Sequence, residues 1–201
     1  SFCAASEHQA FPSEIVVGYF PCLARFPAVA AESMQRTIPP KCGTQGVSIM
    51  FKVGLIGWGS IGNVHGHAYK AMPDVKVVAV ADVEPERRAK AAEFLDATPY
   101  ASAEDLINNA DVDMVDICLP TFLHSKYAVQ ALDKGRHVLS EKPMALNLEQ
   151  CDAMIAAEKR SGKTLMVAHC VRFWPEYHYL KSVYDSGEFG KLQLLSMSRV
   201  G

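Results

Sequence analysis

The stretch Phe51 to Gly62, FKVGLIGWGSIG, constrains the fold more than any other part of the sequence, because a short apolar run breaks there into Gly57, Gly59 and Gly62. Glycine supplies the backbone freedom for a tight strand-to-helix turn and removes the Cβ that would keep the chain away from a ligand. A helix beginning at Ser60 would aim its free N–H groups and its dipole at whatever lies against the turn, which favours a phosphate. Apolar-then-glycine turns also occur in methyltransferases, in flavoproteins and as plain loops, so the flanking sequence has to decide among them.

From Met50 onward the pattern alternates strand and helix. Phe51 to Ile56 is expected as a strand and Ile61 to Met72 as a helix ended by Pro73. Val75 to Ala81 is nearly continuous β-branched sequence, as in a parallel strand covered on both faces. Pro85 opens a helix where proline costs least, and that helix runs to about Leu95. A short helix follows at Ser102 to Asn109, then a strand at Val112 to Leu119 and a helix at Phe122 to Lys134 stopped by Gly135. The strand His137 to Ser140 leads to a helix opened by Asn147, with Gln150 completing an approximate capping box. Leu148, Cys151 and Ile155 share one face of that helix, Gly162 closes it, and Thr164 to Ala168 is the last strand of the series. Such alternation predicts the α/β class, a doubly wound parallel sheet with right-handed crossovers.

That context narrows the meaning of the glycine turn. It lies between the first strand and the first helix, where a Rossmann fold holds a pyrophosphate. Asp82 ends the second strand, twenty residues after Gly62, where an acidic side chain can bond the ribose hydroxyls of NAD. The alternative is that Asp82 only begins the turn before Pro85. Asp82 would repel a 2′-phosphate, which favours NAD, although the nearby Arg87 and Arg88 leave NADP open.

Composition excludes several other classes. The 201 residues carry a formal net charge of −2, which gives no electrostatic case for nucleic acid or an anionic membrane. No apolar run approaches the roughly 20 residues of a membrane span. The six cysteines are scattered without a CxxC pair, and they read as reduced thiols of a cytoplasmic protein, with Cys118 and Cys170 packed as small apolar residues. No metal site is expected. Residues 1–49 hold Pro12, Pro21, Pro27, Pro39 and Pro40 and keep no period, so they read as a disordered or non-native leader, with Met50 as the natural start.

Ligands of an open parallel sheet bind outside the carboxyl ends of its strands. Thr121 and His124 follow one such end, Glu141 and Lys142 the next, and His169 and Arg172 the last. The plain alternative is capping by Thr121, with His124 in an exposed first turn. Lys142, held by Pro143 at the end of a buried strand, can bond a substrate hydroxyl and stabilise charge as its proton leaves. Burial there would lower its pKa. The competing reading is a surface lysine paired with Glu141.

Taken together, GWGSIG, Asp82, the segment CLPTFLH from Cys118 to His124, the tripeptide Glu141-Lys142-Pro143 and HCVRFWP from His169 to Pro175 resemble the family of glucose-fructose oxidoreductase, inositol dehydrogenase and MocA. The resemblance covers Met50 to Gly201. It implies NAD(P)-dependent hydride transfer to or from a sugar, cyclitol or related polyol. By that likeness Gly57, Gly59, Ser60, Ile61 and Gly62 hold the pyrophosphate and Asp82 the adenosine ribose. Thr121, His124 and Glu141 line the nicotinamide half, Lys142 is the catalytic residue, and His169 and Arg172 face substrate. Trp58 takes no role beyond packing.

Residues 50–170 would then be the NAD(P)-binding Rossmann domain, and residues 171–201 the start of an incomplete substrate and oligomerisation domain. Tyr177 to Ser186 is expected as its connecting helix and Leu192 to Val200 as its first strand. The chain alone would bind cofactor but turn over substrate poorly or not at all, and the full-length protein would be a homo-oligomer. Two rivals remain: a non-catalytic dinucleotide-binding regulator with the same fold, and a methyltransferase using the same turn.

Overall fold

The apolar run leading into the glycine turn forms strand β1, Phe51–Ile56, at the centre of a six-stranded sheet. This computed structural model describes residues 50–198, so the expectations for the leader, residues 1–49, lie outside the described residues. The described residues fall into two units, with the chain passing from one to the other between His169 and Cys170.

In the larger unit β1 is followed by α1 (Ser60–Lys70), β2 (Val75–Ala81), α2 (Pro85–Leu95), β3 (Thr98–Tyr100), α3 (Ala103–Asn109) and β4 (Met114–Ile117). A 3-10 turn, Thr121–Leu123, then runs into α4 (His124–Asp133), followed by β5 (His137–Ser140), α5 (Leu148–Ser161) and β6 (Leu165–Val167). The strand order is β3-β2-β1-β4-β5-β6 and every pairing is parallel. This is the doubly wound α/β arrangement. The winding reverses between β1 and β4, and right-handed crossovers place the helices before and after that point on opposite faces.

Local chemistry accounts for most boundaries. Pro85 sits in the first turn of α2, where its missing N–H costs nothing. Ser102 caps α3 by accepting from the Asp105 N–H at 3.0 Å. Asn147 caps α5 by accepting from the Gln150 N–H at 2.9 Å, while the Gln150 side chain accepts from the Leu146 N–H at 3.1 Å. The reciprocal bond of the capping box is thus displaced by one residue. Gly162 ends α5 at φ 66°, in the left-handed region that glycine enters without cost.

The core lies between the sheet and α3, α4 and α5, where Leu106, Ile107, Ala128, Leu132 and Met154 pack against Ile56, Val115 and Ile117. Strand register carries this order to the functional edge. Ile56 pairs with Ala81 and with Ile117, Ile117 with Ser140, and Ser140 with Val167. The ladder continues one residue further, with N–H to O distances of 2.7 Å from Gly57 to Ala81, 2.9 Å from Cys118 to Ile56 and 3.0 Å from Glu141 to Ile117. Gly57, Cys118 and Glu141 therefore stand side by side along the carboxyl edge.

Several expectations need correction. Leu148 and Ile155 lie on the outward side of α5, Leu148 being 81% exposed, while α5 buries Met154 and Ala157. The short edge strand β3 has Pro99 at its centre, which an edge tolerates and periodicity does not reveal. Cys170 is exposed, because it opens a 3-10 turn rather than packing under the sheet. Cys118 is buried but among polar side chains.

The smaller unit comprises a 3-10 turn, Cys170–Phe173, and helix α6, Pro175–Ser186, closed by Gly187 at φ 66°. The strand expected at Leu192 to Val200 is not formed over residues 192–198, and the rest lies outside the described residues. A strand needs a neighbour to satisfy its ladder, and no described segment pairs with this one.

Candidate dinucleotide site

The site begins where β1 can no longer continue. Gly57 adopts φ +94°, a conformation that side chains with a Cβ rarely enter, and a Cβ there would lie 2.5 Å from the Cys118 carbonyl oxygen. A Cβ on Gly62 would lie 1.9 Å from the Gly57 carbonyl oxygen, so the first turn of α1 packs directly on the loop before it. A Cβ on Gly59 would meet nothing within 4 Å, so this glycine borders open space at the start of α1. Gly59 is the N-cap, no side chain caps the helix, and its first turn carries no acidic residue. The first helical bond runs from the Asn63 N–H to the Gly59 oxygen, which leaves the N–H groups of Ser60, Ile61 and Gly62 without intrahelical partners. Amides without intrahelical partners, a positive helix end and an absent Cβ together fit a pyrophosphate.

Asp82 completes this cradle. Its Oδ2 accepts from the Trp58 N–H at 2.7 Å and its Oδ1 from the Glu84 N–H at 2.8 Å. Asp82 thus starts the turn before Pro85, as the alternative reading had it, and it also braces the glycine loop from the next strand. Each carboxylate oxygen keeps acceptor capacity for a hydroxyl. Arg88 donates to the Asp82 backbone oxygen at 2.7 Å, and Arg87 is exposed. The Trp58 ring lies over Gly66 and 5.8 Å from the Phe94 ring, joining α1 to α2.

The edge after β4 and β5 is built differently from expectation. Thr121 caps nothing: it is half-buried and opens the 3-10 turn, whose N-cap is Pro120. His124 is not in an exposed turn but is 1% exposed. Its ring nitrogens lie 2.7 Å from the Leu119 oxygen and 2.8 Å from the Pro143 oxygen, so it ties the loop after β4 to the loop after β5. Lys142 is exposed, and the burial expected of it is not found. The reason is local: Glu141 takes the inward position at the strand end and Lys142 the outward one. Nor does the Glu141 carboxylate pair with the Lys142 ammonium. It turns inward, accepting from the Lys142 backbone N–H at 3.0 Å and lying 3.1 Å from His65 Nε2. The Lys142-Pro143 peptide is cis. His169 is exposed beyond β6, and Arg172 lies in the 3-10 turn of the smaller unit.

Beneath this edge is a buried polar cluster that sequence reading missed. Asp116, in the middle of β4, is fully buried, and its Oδ2 lies 2.8 Å from His65 Nδ1 and accepts from the Tyr69 hydroxyl at 2.9 Å. Cys118 Sγ lies 3.4 Å from His65 Nδ1. Burial opposes charge on His65, but the adjacent Asp116 carboxylate overcomes it and holds the imidazolium well above its ordinary range. Burial, reinforced by the Asp116 charge, pushes the Cys118 thiol up to about 12. Burial opposes ionisation of Glu141 too, yet the bonds from His65 and the Lys142 N–H hold it below the usual carboxylate range. His65, Asp116 and Cys118 bring possible metal-binding atoms within 4.8 Å of one another, but those atoms are committed to one another as hydrogen-bond partners. Two signals were available in the sequence: an aspartate inside an apolar strand requires a partner, and His65 and Tyr69 stand four apart on one helix face.

Comparison with known proteins agrees with this fold. The family described as "Oxidoreductase family, NAD-binding Rossmann fold" matches residues 51–169. An inositol 2-dehydrogenase/D-chiro-inositol 3-dehydrogenase of Lactiplantibacillus plantarum is 35% identical over 144 residues, covering 70% of this chain and 41% of the relative. Among solved structures, the WlbA dehydrogenase of Bordetella pertussis, in complex with NADH and UDP-GlcNAcA, aligns with a TM-score of 0.68 at 29% identity, over 71% of this chain and 44% of that one. The scyllo-inositol dehydrogenase of Lactobacillus casei, with bound NAD(H) and scyllo-inositol, aligns with a TM-score of 0.67 at 27% identity, over 70% and 42%. The chain thus spans about two fifths of the length of these relatives.

Proposed function

Since the chain belongs to the oxidoreductase family of glucose-fructose oxidoreductase, inositol dehydrogenase and MocA, we propose that it is the cofactor-binding part of an NAD-dependent dehydrogenase acting on a cyclitol, sugar or related polyol. The observation that carries this reading is the braced glycine cradle: unpaired amides at the start of α1, open space at Gly59, and Asp82 one strand away.

Gly57, Gly59, Ser60, Ile61 and Gly62 would hold the pyrophosphate, and Asp82 the adenosine ribose. The negative Asp82 and the engagement of Arg88 with the backbone favour NAD over NADP. In a sheet of this order the second half, from β4 onward, receives the nicotinamide mononucleotide. Thr121 would line that half, while His124 and Glu141 fix the loops that shape it. The nicotinamide, when bound, accepts or donates the hydride. Lys142, exposed at the same edge, donates a hydrogen bond to the reacting hydroxyl and stabilises the charge on its oxygen as the proton passes to a general base other than Lys142. Residues 171–201 begin the segment that contacts substrate, with Arg172 as a candidate in it and His169 as a candidate just before it. The full-length protein is a homo-oligomer working in the cytoplasm.

Calorimetric titration tests the reading. NAD+ should bind more tightly than NADP+, and S-adenosylmethionine should not bind. Absence of NAD(H) binding would refute it. Lys142→Ala should keep NAD+ affinity and abolish NADH formation with cyclitols or sugars in the full-length protein. Intact NADH formation in that variant would refute the role of Lys142, and absence of it in the parent protein would favour a regulator.

A further inference from the structure

Holding a dinucleotide does not require the cluster beneath the edge, yet it withdraws several ionisable side chains from water. Asp116 and Glu141 both present carboxylate oxygens to one imidazole, at 2.8 Å from Nδ1 and 3.1 Å from Nε2. A carboxylate only accepts, and a neutral imidazole donates from one nitrogen, so both bonds are satisfied only by the ring carrying two protons. The other groups facing His65 do not change this: the Tyr69 hydroxyl and the Cys118 thiol both donate toward Asp116. Glu141 passes the constraint outward, since its second oxygen accepts from the Lys142 N–H at 3.0 Å. His65 itself lies three residues after Gly62, on the helix whose free amides face the pyrophosphate.

We propose that His65 is a positioning residue that locks Glu141, and with it the Lys142-Pro143 segment, to the cofactor helix. This rests on the reading that the edge after β5 serves the nicotinamide half. The lock gives the two halves of the site different dependences. The adenosine and pyrophosphate contacts come from Gly57 to Gly62 and Asp82 and do not pass through His65. The nicotinamide end depends on where the Glu141-Lys142-Pro143 loop is held.

The test compares NAD+ with ADP-ribose, which carries both phosphates but no nicotinamide. In His65→Gln, NAD+ affinity should fall about tenfold, the loss expected for bonds to a charged partner, with ADP-ribose affinity unchanged to within about twofold. Glu141→Gln should show the same split, and the double variant should lose no more than the worse single one. Equal losses for both ligands, no loss, or additive losses would overturn the proposal. Amide hydrogen exchange without cofactor reads the lock separately. His65→Gln should deprotect the Lys142 amide about tenfold while Val115, in the middle of β4, keeps its protection. Equal deprotection of Val115 would mean a merely structural role and would also overturn it. If the parent chain does not bind NAD+ while Lys142 exchange responds as stated, the reading of the nicotinamide half fails and the lock stands.

Discussion

Gly62→Ala and Gly59→Ala add the same methyl group to the same turn and should have opposite consequences. At Gly62 the new Cβ would stand 1.9 Å from the Gly57 oxygen, 3.0 Å from the Gly57 carbonyl carbon and 3.4 Å from the Cys118 Cβ. A relaxed carbon–oxygen contact is roughly 3.3 Å, so helix and loop would have to separate by about 1.4 Å. The loop cannot yield freely, because the Gly57 N–H is bonded to the Ala81 oxygen at 2.7 Å and the Trp58 N–H to Asp82. Overpacking against backbone belongs at the upper end of its usual range, about 3 kcal/mol. At about 4 °C per kcal/mol for a unit of this size, the melting temperature should fall by about 12 °C. Gly59 has φ −78° and open space, so alanine there should cost no more than about 0.5 kcal/mol. Its methyl would instead stand where the pyrophosphate approaches, weakening NAD+ by about tenfold, or about 1.4 kcal/mol. Melting followed by circular dichroism, with calorimetric NAD+ titration, reads both effects. A Gly62→Ala protein melting like the parent would refute the close approach, and full NAD+ affinity in Gly59→Ala would refute the role of that space.

Asp82→Asn replaces one accepting oxygen by a donor that faces either the Trp58 or the Glu84 N–H, so it should destabilise by about 1–3 kcal/mol and narrow the preference for NAD+ over NADP+, as paired titrations would detect. Leu106→Ala, at a fully buried side chain that packs against Gly54, should cost about 2–5 kcal/mol in denaturant unfolding without a specific effect on cofactor binding. The pH dependence of melting should peak near the ordinary histidine value. Above it, the unfolded chain releases the His65 proton that the folded protein keeps, so stability falls as pH rises, and His65→Gln should flatten that limb. Below it, His137 is held down by burial and by the Lys163 charge while the unfolded chain takes up the proton, so stability falls as pH drops. His137→Asn, which can still accept from the Thr164 N–H, should flatten that limb.

What could be read from the sequence was what is local. The bounds of β1, β2, α2 and β5 follow from apolar period, from Pro85 and from the short spacing of the glycines, all of which act within a few residues. The position of Asp82 beside the glycine turn was legible because its distance from Gly62 is a fixed consequence of one strand–helix–strand unit. The pairing of His65 with Asp116 and Glu141 was not, because it joins residues 51 and 76 positions apart. The exposure of Lys142 was hidden for a related reason: at a strand end two adjacent charged residues compete for the inward place, and the imidazole behind the sheet selects Glu141. The buried face of α5 was not legible, because apolar spacing alone does not say which stripe of a helix meets the sheet.

The central claim is that a dinucleotide rests its pyrophosphate on the start of α1. Titrating NAD+ into the isotopically labelled chain and following its backbone amides by NMR tests this directly. The Ser60, Ile61 and Gly62 amides should shift together with one dissociation constant, followed by Val83 and Glu84 beside the adenosine ribose, and ADP-ribose should reproduce these shifts. Saturable binding that leaves the three amides of α1 unmoved, or no binding, would contradict it.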